Sequence, residues 1–99
     1  MKNLGNLMKQ AQQMQAKMAE MQERLGTIEV TGAAGGGMVQ ATLNGKNELR
    51  RIKIDPTLAD PKEIEVLEDL IVAAVNDARG KVDAATAEEM RQLTGGLDR

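Results

Sequence analysis

Four cations punctuate the first quarter of the chain: Lys2, Lys9, Lys17 and Arg24, separated by 7, 8 and 7 residues. On a helix such intervals place side chains near one line, and a row of cations along a rod is a means of neutralising phosphates. The solvated side of any amphipathic helix can carry the same spacing, so the row does not decide the matter alone. Charge distribution adds to it. Residues 1–26 set the four cations against Glu20 and Glu23, net +2, and residues 44–54 set Lys46, Arg50, Arg51 and Lys53 against Glu48, net +3, in a chain of overall charge −2. Arg79, Lys81 and Arg91 supply a further set toward the C-terminus. Two-fold symmetry in a dimer doubles the first row into two ridges that can face one duplex. With no Phe, Tyr or Trp there is no platform on which bases could stack. The chemistry on offer is backbone contact with double-stranded DNA, steeply dependent on salt.

Other chemistries are poorly supplied. The chain has no His, Cys or Ser, which removes the usual general base, the commonest metal ligands and the acyl-transfer nucleophiles. Gly35-Gly36-Gly37 has neither the preceding strand and following helix of a phosphate loop nor its terminal Gly-Lys-Thr/Ser, and reads as a strand connection. The acidic block of Asp55, Asp60, Glu63, Glu65, Glu68 and Asp69 lacks the spacing and tight glycine turn of a calcium loop. It reads as a solvated face with charge favourable to a helix N-terminus. No catalytic residue, metal or cofactor is expected.

The elements that must position the cations follow from periodicity. Leu4, Leu7, Ala11, Met14, Met18, Met21 and Leu25 are spaced 3, 4, 3, 4, 3, 4, an a/d seam that predicts a helical arm over residues 1–26, closed by Gly26 as a left-handed cap. Residues 27–55 predict a three-stranded antiparallel meander. Its strands are Thr27–Thr31 with Ile28 and Val30 inward, Met38–Leu43 with Val39, Ala41 and Leu43 inward, and Glu48–Asp55 with Ile52 and Ile54 inward. Gly32–Gly37 reads as a flexible link and Asn44-Gly45 as a tight turn. Residues 60–94 are helical, begun by Asp60, Pro61 and Glu63 as cap, first-turn proline and capping box, and ended by Leu93-Thr94-Gly95-Gly96. Gly80 and the second capping pattern Thr86-Ala87-Glu88-Glu89 predict a kink or fresh start, giving α-β-β-β-α-α in one α+β domain.

The stretch Glu63–Arg79 is apolar around more of its circumference than one face, and a small sheet can cover only one side. A core without aromatic residues is also thin for 99 residues. Both facts predict a homodimer, its interface drawn from Met14, Met18, Met21, Leu67, Leu70, Ile71, Ala74 and Val75. No signal peptide is visible, and the longest apolar run, Leu70–Val75, is far shorter than the ~20 residues that span a bilayer, so a soluble, cytoplasmic protein is expected. The rival to DNA binding is an adaptor whose Met-lined helix receives a partner protein's helix.

Several blocks together carry a resemblance. Gly35-Gly36-Gly37-Met38-Val39, Leu43-Asn44-Gly45, Ile52-Lys53-Ile54-Asp55-Pro56, Leu67–Ala78 and Leu93-Thr94-Gly95-Gly96, after a Met/Gln-rich first helix, resemble the YbaB/EbfC family of bacterial nucleoid-associated proteins. The resemblance implies a tweezer-shaped homodimer with projecting helical arms, duplex DNA binding, a place in the nucleoid, a role in its organisation or in gene regulation, and no catalysis. It carries over no DNA-contact residues, so Lys2, Lys9, Lys17, Arg24, Arg79, Lys81 and Arg91 stand as candidates on charge and position, with Arg50, Arg51 and Lys53 second. Gly80 departs from the helix-favouring residue commoner there, and Leu97-Asp98-Arg99 stands where family members often continue into a Pro/Gly-rich tail.

Overall fold

A computed structural model of the chain describes residues 2–95, with side chains over residues 3–92. Its elements are α1 (Lys2–Thr27), β1 (Glu29–Ala34), β2 (Val39–Asn44), β3 (Leu49–Ile54), two 3-10 turns at Pro56–Leu58 and Pro61–Glu63, and α2 (Ile64–Gly95). The strands form one antiparallel sheet in the order β1-β2-β3, and the class is α+β. The Leu93-Thr94-Gly95-Gly96 closure falls at the limit of the description: its side chains, and Gly96 altogether, lie outside the described residues.

Alternation along the strands decides which side α2 covers. Val39, Ala41 and Leu43 are fully buried on β2, and Val30 packs with Leu43, Ala78 and Val82. A second cluster joins Val39, Ala41, Leu58 and Ala74, with Leu67, Leu70, Ile71 and Val75 half-buried around it. Ala74, Ala78 and Val82 lie four residues apart, one stripe of α2 facing the sheet. The alanines in that stripe permit a very close approach. A Cβ on Gly32, which pairs with Ala41 in register, would collide with the backbone of Ala74 and Ala78. Gly32 is therefore part of β1, and the strand runs on to Ala34; the link is shorter than expected, a turn at Gly35-Gly36-Gly37, all at positive φ. Side chains of α2 also occupy the free edge of β1: Asp77 Oδ2 accepts the Ala33 N–H at 3.0 Å, and Lys81 Nζ donates to the Thr31 carbonyl at 2.8 Å. The Ala33 N–H, and then the nearby Lys81 charge, hold the Asp77 carboxyl below its ordinary range.

The β2–β3 connection anchors α1. Asn44 is the last residue of β2, and its buried Oδ1 accepts the N–H groups of Lys46 and Glu48 at 2.9 and 3.0 Å while its Nδ2 donates to Glu48. The left-handed residue of this turn is Asn47, at φ 65°, so the expected two-residue Asn44-Gly45 turn is replaced by a wider one that the Asn44 amide organises. Gly45 instead serves close approach: its N–H donates to the Leu25 carbonyl at 2.7 Å, and a Cβ there would strike the Leu25 backbone. Gly26 is correspondingly helical rather than a left-handed cap, and α1 continues to Thr27.

No break divides α2 at Gly80 or Thr86. Ala78 and Val82, both buried on the sheet, straddle Gly80 and hold the helix through it. The two 3-10 turns before α2 explain part of the acidic block. Asp55 accepts from Thr57 N and Oγ1, and these bonds lower its pKa; Asp60 accepts the Lys62 N–H at 3.0 Å. The whole chain measures 72 × 22 × 16 Å, with a radius of gyration of 19.8 Å. A compact chain of this length would have about 13 Å. The excess is the helices.

Candidate nucleic-acid interface

The distal half of α2 and the C-terminal part of α1 lie side by side beyond the sheet. Arg24 of α1 and Glu89 of α2 are joined at 3.1 Å, and Lys17, Glu20, Arg24, Glu89 and Gln92 line one groove between the helices. Lys17 thus stands at the level of Gln92, and the N-terminal turns of α1 extend past the last described turn of α2. Only the base of α1 is built into the fold: Met21 and Leu25 are buried, whereas residues 3–20 are exposed without exception. Leu4 is 62% exposed and Leu7 59%, although both belong to the apolar seam.

The candidate cations differ in what they already hold. The Lys2 side chain lies outside the described residues. Lys9 and Lys17 are exposed and make no ion pair among the described residues, whereas Arg24 is engaged by Glu89. The four do not make one row. Eight residues at about 100° each turn Lys17 some 80° from Lys9, so Lys17 and Arg24 face the groove and Lys9 does not. On α2, Lys81 is engaged by Asp77 and the Thr31 carbonyl, and Arg91 pairs with Glu88 at 2.7 Å. Arg79 is exposed and has no ion pair among the described residues. Seven carboxylates against three cations give residues 64–95 a net charge of −4, so α2 repels phosphate along much of its length.

The expected association surface also divides. Ala74 and Met21 are 0% and 4% exposed within the single chain, so both move from the expected interface to the protomer's own interior. Ala74 is closed over by the sheet through Gly32. Met14 and Met18 remain exposed, and Leu67, Leu70, Ile71 and Val75 are half-buried. Other apolar side chains also lie open: Ile52, expected inward, and Leu49 on β3, and Ile64, Val66 and Val72 in the stretch of α2 read as needing cover on more than one side. Ile52 pairs with Ala41 and so points to the same side of the sheet as α2, which covers β1 and β2 and leaves β3 bare. The signal was present in the sequence: one helix is about 10 Å wide and cannot roof three strands.

Among the described residues no three carboxylates converge as a metal site, and no helix is long and apolar enough to cross a membrane. Fold and surface together define a small α+β binding protein that presents a free helical arm and uncovered apolar faces. The chain belongs to the YbaB/EbfC DNA-binding family, which it matches over residues 1–97. It is 65% identical over 98 residues to a nucleoid-associated protein of Granulibacter bethesdensis and 67% identical over 98 residues to one of Paramagnetospirillum magneticum, covering 99% of this chain and 92% of the relative in both cases. Its fold is shared with a crystal structure of an uncharacterised protein from Helicobacter pylori, at a TM-score of 0.71 and 27% identity, over 97% of this chain and 94% of that one. The family is defined by DNA binding rather than by a reaction.

Proposed function

We propose that this protein binds double-stranded DNA as a homodimer in the bacterial nucleoid, without a catalytic step, and that it contributes there to nucleoid organisation and gene regulation. The observation that carries the reading is the state of α1. A helix with an unbroken apolar seam stands exposed from residue 3 to residue 20, which a stable soluble protein tolerates only if something else covers it. A second copy supplies that cover for Met14 and Met18, and for the bare apolar side of β3 and α2. Of the candidate cations on the two long helices, Lys9, Lys17 and Arg79 have no ion pair among the described residues and are available to meet phosphates. Contacts of this kind fix the protein on the duplex without reading bases, so any sequence preference rests on DNA shape or a palindromic site. The comparisons give no support to the adaptor reading.

The test is a duplex titration by fluorescence anisotropy at several salt concentrations, with light-scattering mass measured alongside. The combined variant Lys9→Ala, Lys17→Ala is expected to bind more weakly, its log K against log salt flattening by roughly 0.9 for each phosphate no longer neutralised. Wild-type affinity and slope in that variant remove α1 from the interface. A folded single subunit at micromolar concentration removes the dimer.

A further inference from the structure

Residues 44–54, the most cationic stretch of the chain at net +3, include β3, and its Arg51 and Lys53 lie on the face of the sheet turned away from α2. Arg51 pairs in register with Thr42, Lys53 with Gln40, and Thr31 with Thr42. Strand alternation puts these five side chains on the side opposite Val39 and Ala41, and so opposite α2. They line a shallow, open depression. The Thr31 and Thr42 hydroxyls are hydrogen-bonded to each other at 2.9 Å. Arg51 is held from below by Glu29, its Nη2 donating to Oε1 at 2.8 Å and its Nη1 to Oε2 at 3.4 Å. Arg50 is the extra residue where the β2–β3 register shifts between Thr42 and Leu43, which frees it from strict alternation; the Arg51 hydrogen bond and then the charges of Arg51 and Arg50 hold the Glu29 carboxyl below its ordinary range. Two cations, Arg51 and Arg50, therefore act on the one carboxylate of Glu29, and neither Arg50 nor Lys53 has an ion pair among the described residues.

We infer that this face is a second phosphate-contact surface for duplex DNA, with Arg50, Arg51 and Lys53 as its charged donors and Gln40 and the one hydroxyl of the Thr31–Thr42 pair that is not donating within it as its neutral ones. The inference rests on the reading that the protein binds duplex DNA, and goes beyond it by placing contacts away from the arms. Charge complementarity selects the occupant. Arg51 and Lys53 stand two residues apart, roughly 7 Å along an extended strand, so they address separate phosphates. Hydroxyl and amide donors between cations are the usual company of DNA backbone contacts. A protein partner would need a buried apolar or aromatic anchor, which this hydrophilic face does not offer. Single strands would need stacking side chains that the chain lacks.

The experiment is a titration of the full chain against a random-sequence duplex, at several salt concentrations, comparing three proteins. Arg50→Ala with Lys53→Ala is expected to weaken binding about tenfold near physiological salt and to flatten the salt slope by roughly 0.9 for each phosphate left without its cation, with circular dichroism and light-scattering mass unchanged. Glu29→Gln removes the neutralising charge but keeps an acceptor for Arg51, and is expected to tighten binding several-fold with a steeper slope, which a merely structural role for Glu29 would not produce. Should the double variant fail to fold, Glu29→Gln decides alone, and unchanged or weakened binding overturns the inference. Wild-type affinity in Arg50→Ala, Lys53→Ala, while Lys9→Ala, Lys17→Ala loses binding, overturns this face and leaves the arms standing. Loss of binding to poly-glutamate with duplex affinity intact also overturns it, in favour of an acidic protein. A wild type that binds no duplex sinks both readings together.

Discussion

The two ends of α1 obey one heptad pattern and have different fates. At its base, Met21 and Leu25 are enclosed, with the Leu25 carbonyl tied to Gly45 of the β2–β3 turn. One and two turns earlier, Met18 and Met14 occupy the same seam and stay exposed. Residue type and spacing are identical, so the difference is supplied by what the rest of the chain can reach. The 26-residue helix is about 39 Å long, and it meets the sheet only at the end of β2, where the Gly45 N–H takes the Leu25 carbonyl. Burial stops where that contact stops. The lesson is that a periodic seam declares a need for cover but not who provides it.

The largest test of that contrast is at the point where the fold is tightest. Gly32→Ala drives a methyl into the α2 backbone, and urea unfolding is expected to show a loss of about 3 kcal/mol or more, since two packed backbones cannot both yield. Next comes the pair within the seam. Met21→Ala should cost roughly 2–4 kcal/mol whatever the protein concentration, as a buried large-to-small change. Met14→Ala should leave folding of the single chain within about 0.5 kcal/mol and shift the concentration at which the proposed dimer dissociates. If both variants behave alike, the division of α1 into base and arm is wrong. Smaller still, and of opposite sign, is Gly80→Ala: the site is exposed and helical with open space around it, so stability should rise by about 1 kcal/mol.

The smallest effect is that of pH. The folded-state pKa of Asp77 lies below its unfolded value, because the Ala33 N–H and then Lys81 favour the charged form. A depressed carboxylate contributes stability that is present above its unfolded pKa, roughly pH 4, and disappears as pH falls through the lower folded value. Asp77→Asn should therefore reduce the loss of stability on acidification in that window, and leave the pH profile near neutrality unaltered. Because the group is exposed, the change is expected to be slight.

Much of the architecture was legible from periodicity. Val39, Ala41 and Leu43 alternate as a half-covered strand must, whereas Ala74, expected at the dimer interface, lies with Ala78 on the sheet-facing side of α2. Two things were hidden. Gly32 looked like the start of a flexible link, because a glycine that lets two backbones touch has the same letter as one that lets a chain swing. Gly80 looked like a break, because its intrinsic cost is local whereas the burial of Ala78 and Val82 on either side of it depends on tertiary structure. The candidate site was less legible than the fold. Spacing of 7, 8 and 7 suggested a row of cations, yet the extra residue turns the row around the helix. The Asp77–Lys81 and Glu88–Arg91 pairs were readable as i, i+4 and i, i+3 neighbours, whereas the Arg24–Glu89 pair between the two helices was not.

The side chains that cap β1 have a consequence for how large any assembly can become. Asp77 and Lys81 occupy the Ala33 N–H and the Thr31 carbonyl, two of the groups an incoming strand would need, so lateral extension is obstructed on that side. Only β3 is left open to addition. A sheet with one accessible border can be joined once, after which both outer borders are capped, and strand-by-strand growth into a fibre has nowhere to continue.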